Sequence, residues 1–234
     1  MSSEEEQISL DRIAKDSWYC QGANKKTIEY SYKIFMRYLL PNANILELGP
    51  AEGVMTEKLV EYIKDHGGKL TVVDGSGEFC TRLRKKYQNI NIVHSLFEDF
   101  SPSERYQIII LGHVLEHVEN PVAILKLVKS WLAKGGIVLS AVPNAFSLHR
   151  QAAVLMGLLT REKELNDTDK HHGHRRVYTI DEFKQDFLNA GFILRKVGGY
   201  WIKPVSNKQI DETWTNEMLD AYMVLGEKIP RNCC

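Results

Sequence analysis

The stretch Ile45-Leu46-Glu47-Leu48-Gly49-Pro50-Ala51-Glu52-Gly53 constrains this chain more than any other. An apolar run of strand length ends in a glycine turn. Val54 to about Asp65 follows with helical spacing, and a second apolar run, Leu70-Thr71-Val72-Val73, stops at Asp74. Strand, glycine turn, helix, strand and acid are the parts of a nucleotide-binding βαβ unit. Glycine lets the backbone approach a ligand where a Cβ would block it. An acid at the tip of the second strand can accept hydrogen bonds from both hydroxyls of a ribose.

The spacing narrows the ligand. A dinucleotide fingerprint reads G-x-G-x-x-G and seats a pyrophosphate on the helix N-terminus. Here the pattern is Glu47-x-Gly49-x-x-x-Gly53, with Pro50 inside the turn. This resembles motif I of the class I S-adenosylmethionine-dependent methyltransferases. The string His113-Val114-Leu115-Glu116-His117-Val118-Glu119-Asn120-Pro121 resembles the segment after strand four in their small-molecule, ubiquinone-biosynthesis-like branch. The resemblance covers roughly residues 45–198. It implies a Rossmann-like α/β three-layer sandwich, with a mostly parallel sheet and helices on both faces. It also implies S-adenosyl-L-methionine as cofactor and S-adenosyl-L-homocysteine as product.

That resemblance assigns roles by position. Glu47, Gly49, Pro50 and Gly53 form the loop against the methionine part of the cofactor. Asp74 takes the ribose, with Gly75 beside it. Ser95, Leu96 and Phe97 follow the third strand, where the adenine ring would lie, although the acid usual at the first of these positions is replaced by serine. Gly112 and His113 close the fourth strand, at the sheet edge where ligands bind in open α/β folds.

The rest of the chain is consistent with this plan. Its 234 residues suffice for one α/β domain with a substantial core. The formal net charge is zero, so no overall field draws in nucleic acid or an anionic membrane. No apolar run approaches the roughly 20 residues of a membrane span. The four cysteines form no C-x-x-C pair, and a cytoplasmic protein with free thiols is expected.

Residues 1–40 read as an N-terminal helical cap, with a helix over Thr27 to Leu40; residues 41–234 read as the core. Within the cap, Trp18 and Tyr19 are candidates to cover the substrate. Tyr106 to Gly112 reads as a central strand buried on both faces. Val122 to Leu132 reads as a helix, Lys134-Gly135-Gly136 as a tight turn, and Ile137 to Val142 as the fifth strand. About residues 145–178 form an insertion on the substrate side. Thr179 and Glu182 have the spacing of a capping box for a helix that ends at Gly191. Phe192 to Val197 reads as a sixth strand, Glu212 to Leu225 as a final helix, and strand seven as missing or truncated.

A sulfonium methyl needs little activation, so the protein must mainly align donor and acceptor. A hydroxyl acceptor also needs a base. Histidine suits that task near neutral pH, and the candidates are His113, His171, His172 and His174. Asn144 is a candidate to line the acceptor pocket, because its Pro-Asn segment resembles an element of one methyltransferase subgroup; Arg175 and Arg176 could pair with a phosphate or carboxylate of the substrate or be surface charges before a helix, and Tyr178 beside them is a further candidate. His171-x-x-His174 has metal-ligand spacing, but no third ligand is nominated by sequence, and no metal is expected. The expected reaction is methyl transfer to an oxygen or nitrogen of a small molecule, such as a sugar or secondary metabolite, by a monomer or homodimer. The rival readings are an RNA or protein methyltransferase and a non-catalytic cofactor-binding protein.

Overall fold

The computed structural model describes residues 3–15, 21–200, 203 and 205–228. Five strands are built from the apolar runs: β1 (Asn44–Leu48), β2 (Lys69–Asp74), β3 (Asn91–His94), β4 (Tyr106–Gly112) and β5 (Leu132–Ala141). They form one parallel sheet in the order β3-β2-β1-β4-β5. The order reverses between β1 and β4, which opens a crevice at their C-terminal ends.

Alternation along the strands explains the layers. Ile45, Ile108 and Ile110 face one apolar cluster, while Leu46, Leu48, Ile109 and Leu111 face the other. All seven are essentially buried, as expected of a parallel sheet covered on both faces. Helices α1 (Ser3–Lys15), α2 (Gly22–Phe35), α3 (Val54–His66), α4 (Gly77–Lys86) and α5 (Pro121–Trp131) precede the last strand. Beyond it come α6 (Leu148–Leu155), α7 (Asp167–His171), α8 (Ile180–Asn189), α9 (Asn207–Thr213) and α10 (Asn216–Lys228). The reciprocal box at Thr179 and Glu182 caps α8.

Four expected elements differ. Lys134-Gly135-Gly136 is not a turn ahead of β5 but an irregularity within it. Pairing jumps from Tyr106↔Leu132 to Ile108↔Ile137, and an added Cβ at Gly136 would lie 3.0 Å from the carbonyl of Tyr106. Phe192 to Val197 forms no strand, although Phe192 and Leu194 pack on the core and Ile193 is exposed. An outer strand with no neighbour on its far side gains few ladder bonds, and among the described residues no seventh strand supplies them. The final helix is two helices, because Ser206 and Gln209 box the start of α9 and the chain is extended at Trp214. In the cap, α2 starts earlier than expected and ends in a short 3-10 turn, Met36–Tyr38.

Candidate active site

The glycine turn after β1 has the backbone that its sequence demands. Gly49, Ala51 and Gly53 all have positive φ, at 64°, 48° and 81°. A Cβ on Gly49 would stand 2.9 Å from Val114 Cγ2, so any larger residue would have to displace that side chain at an unfavourable φ. Gly53 caps α3 in a left-handed conformation, and its amide bonds the Pro50 carbonyl at 2.8 Å. Glu47 is buried below the turn and accepts a 2.7 Å hydrogen bond from Thr56 Oγ1, which ties β1 to α3. Burial, with the Asp74 carboxylate nearby, pushes Glu47 up to about 8.

Asp74 ends β2 beside this turn. Its carboxylate accepts from the amides of Ser76 (2.8 Å) and Ala51 (3.3 Å). Burial raises its pKa to about 6 against the pull of these two bonds. An ionised carboxylate has about four acceptor positions, so two donors leave capacity that a pair of ribose hydroxyls would fill. Gly75 is squeezed between two apolar side chains: a Cβ there would meet Leu10 Cδ1 at 2.6 Å and Leu96 Cδ2 at 2.9 Å. Leu96 is buried, Phe97 reaches toward Gly49, and the Ser95 hydroxyl bonds the Leu96 carbonyl at 2.8 Å. The residues assigned to the cofactor therefore converge on one end of the sheet, and the donor-poor acid and glycine-lined turn fit an adenosyl group.

The cap closes on this end through contacts that the sequence did not advertise. Asp11 of α1 accepts from Ser76 Oγ (2.6 Å) and from the Glu78 amide (3.1 Å), next to Asp74. The same helix reaches the histidine segment through Glu6, 3.6 Å from Arg175. Trp18 and Tyr19 lie outside the described residues.

Across the crevice, His113 follows β4 with φ 62°, a left-handed conformation that is costly for a non-glycine residue. Its Nδ1 lies 3.4 Å from Oε1 of Glu116, and its Nε2 lies 3.2 Å from the hydroxyl of Tyr200. That hydroxyl also bonds Ser31 at 2.5 Å, and the Tyr200 ring stacks on Tyr30 of α2. Burial pushes the Tyr200 phenol up to about 12. Glu116 is wholly buried, and neither of its oxygens completes a hydrogen bond. Burial alone would raise it, but the imidazoles of His113, His117 and His174 outweigh that and hold it low.

Residues 174–176 clamp onto the loop after β4. The Arg175 amide donates to the Glu116 carbonyl and Arg175 Nε to that of His117, both at 2.8 Å. Arg176 holds the carbonyls of Leu115, Val118 and Glu119. Arg175 and Arg176 thus satisfy backbone in this structure. Tyr178 is buried and donates to Asp186 Oδ2 at 2.9 Å, while its backbone bridges Asn144. Asn144 is exposed, and its side chain accepts from the Phe146 amide. Of the clustered histidines, His171 is exposed, His172 is buried with burial lowering it to about 4, and His174 turns toward Glu116 and His117.

Sequence reasoning missed Asp11, Ser31, Glu116 and Tyr200. Only Glu116 left a signal, as an acid three residues after His113 in the quoted motif.

Comparison with known proteins gives the family. The methyltransferase-domain family model matches residues 25–197, and the chain belongs to that family. The ubiquinone biosynthesis O-methyltransferase of Pasteurella multocida is 25% identical over an alignment of 252 positions, gaps included, that spans 97% of each chain. Nodulation protein S of Sinorhizobium fredii is 34% identical over 87 residues, or 36% of this chain and 38% of that one. The crystal structure of the N-methyltransferase NodS from Bradyrhizobium japonicum with S-adenosyl-L-homocysteine superposes with a TM-score of 0.54 at 20% identity, over 78% of this chain and 84% of that one. The chain is an S-adenosylmethionine-dependent methyltransferase. No helix among the described residues is long and apolar enough to cross a membrane.

Proposed function

We propose that this chain methylates an oxygen or nitrogen of a small molecule, and that His113 receives the proton the acceptor gives up. S-adenosylmethionine supplies a methyl group already activated by its sulfonium. The protein's own contribution is alignment, exclusion of water and disposal of one proton. The turn at Gly49 to Gly53 and the acid Asp74 hold the cofactor, and Gly112 sets the floor between it and the acceptor.

The observation that carries the reading is the placement of His113. A strained backbone sets the imidazole at the sheet's C-terminal edge. The Glu116 carboxylate faces Nδ1, which favours the tautomer with its proton there and leaves Nε2 to accept. The Tyr200 hydroxyl on Nε2 marks where an acceptor hydroxyl would bind. Both an O-methyltransferase and an N-methyltransferase occur among the similar proteins, which supports either acceptor atom. Asn144 belongs to the acceptor side in this reading.

The test is a panel of hydroxyl- and amine-bearing small molecules, with RNA and peptide controls, scored by S-adenosylhomocysteine release. The reading expects turnover with small molecules. It also expects His113→Gln to lower kcat about 100-fold on a hydroxyl acceptor, the worth of general-base catalysis, while S-adenosylhomocysteine still binds. Turnover with RNA or peptide alone would overturn the substrate class. An unchanged kcat in His113→Gln would remove its role as base.

A further inference from the structure

We propose that Glu116, His117 and His174 form a binding site for one divalent transition-metal ion. Each offers a ligand atom, and these atoms all lie within 4.8 Å of one another. Two imidazoles and one carboxylate are a donor set for zinc, iron, manganese or cobalt, and not for magnesium or calcium, which take oxygen.

Three independent features support the assignment. First, Glu116 is wholly buried with neither oxygen in a hydrogen bond. Its one near side-chain partner among the described residues is His113 Nδ1, 3.4 Å from Oε1, which leaves acceptor positions of the carboxylate open to an ion. One of its oxygens can serve His113 while the other takes the ion. Second, the two imidazoles are direct neighbours, with ring centroids 4.7 Å apart and planes at 84°. Third, each ring has an acceptor beside it, although His174 Nδ1 completes no hydrogen bond to its own. His117 hydrogen-bonds the Gly173 carbonyl. His174 Nδ1 lies 3.4 Å from Asp169 Oδ1, and Asp169 is itself fixed by Arg150 at 3.0 Å. An acceptor behind each metal-ligating imidazole sets its tautomer and turns the other nitrogen inward.

The chain geometry is rigid enough to preserve this arrangement. Glu116 and His117 sit on the loop after β4, and His174 is pinned to that loop by the bonds of Arg175 and Arg176 to its carbonyls. Ligand atoms about 2.1 Å from a tetrahedral ion lie roughly 3.4 Å apart, so binding needs a small inward movement of the three side chains. The sequence pattern His171-x-x-His174 has the spacing of a ligand pair, but His171 is exposed and does not belong to the group. The fold instead brings in Glu116 and His117 from the far side of the insertion.

The test uses the full chain, stripped with chelator and titrated with cobalt(II). Binding is read from the visible ligand-field bands and, in parallel, from metal content by mass spectrometry. The proposal expects one cobalt per chain with imidazole-perturbed bands, and competition by zinc. His174→Ala should weaken binding at least about tenfold, and Asp169→Asn about tenfold through the lost outer partner. S-adenosylhomocysteine titration of each variant reports folding, and it also separates this proposal from the methyltransferase assignment. No saturable cobalt band in the native chain, or equal binding by a folded His174→Ala, would overturn the site.

Discussion

Replacing Glu47 with glutamine removes one ionisable proton from beneath the glycine turn. Glutamine keeps the shape and keeps an oxygen for the Thr56 hydroxyl, which now bonds Glu47 at 2.7 Å. Burial holds the native carboxyl at about 8, against an ordinary value of 4.5. The sign follows from proton counting. The native state binds this proton more tightly than the unfolded chain does, so the group favours folding most at low pH. That advantage is lost as pH rises from 4.5 to about 8, and the curve then flattens. With those two values, the native protein should lose about 3.5 kcal/mol between pH 5 and pH 8 that the glutamine variant keeps. Asp74 is present in both proteins, so its own titration largely cancels in the difference. The assay is urea unfolding of both proteins across that range, with midpoints and slopes compared. A stability difference that stays constant within about 1 kcal/mol would refute the reasoning, because it would mean that Glu47 carries the same charge folded and unfolded.

Two further predictions concern the cofactor end. Asp74 titrates near 6 because burial raises it, and ribose hydroxyls would donate to its ionised form. S-adenosylhomocysteine affinity should therefore fall as pH drops below about 6, with proton release on binding near that pH, both measurable by calorimetry in buffers of different ionisation enthalpy. Gly49→Ala puts a Cβ 2.9 Å from Val114 Cγ2 at φ 64°, and should cost roughly 1–3 kcal/mol of stability and weaken cofactor binding; a thermal melt and a titration check both.

Much of this architecture could be read from the chain because parallel strands buried on both faces leave predominantly apolar runs. Tyr106 to Gly112 and Ile45 to Leu48 are such runs, and each lies where expected. The glycine turn was equally legible, since the positive φ values at Gly49 and Gly53 exclude most other residues. The outer strand was not. Phe192, Ile193 and Leu194 alternate as a strand does, but alternation reports one buried face and says nothing about a ladder partner. The glycines at 135 and 136 read as a turn because a pattern cannot distinguish a turn from a bulge within a strand.

The acceptor side was harder still. His113 stood out by its position after β4, yet its neighbours Tyr200 and Ser31 come from opposite ends of the chain. Glu116 is one acid in the segment after β4 in the sequence, and only the fold encloses it among imidazoles. Arg175 and Arg176 looked like free cations before a helix, whereas the structure uses both on backbone carbonyls of the loop after β4. Long-range partners of this kind carry no local periodicity.

The most direct test of the whole account is calorimetric titration of S-adenosylhomocysteine into the native chain and into Asp74→Asn near neutral pH. The account predicts one site per native chain, and binding weaker in the variant by about 1.5–3 kcal/mol, the worth of hydrogen bonds to a charged group. Equal affinity in the two proteins would contradict the assignment of Asp74 to the ribose, and no binding to the native chain would contradict the cofactor site itself.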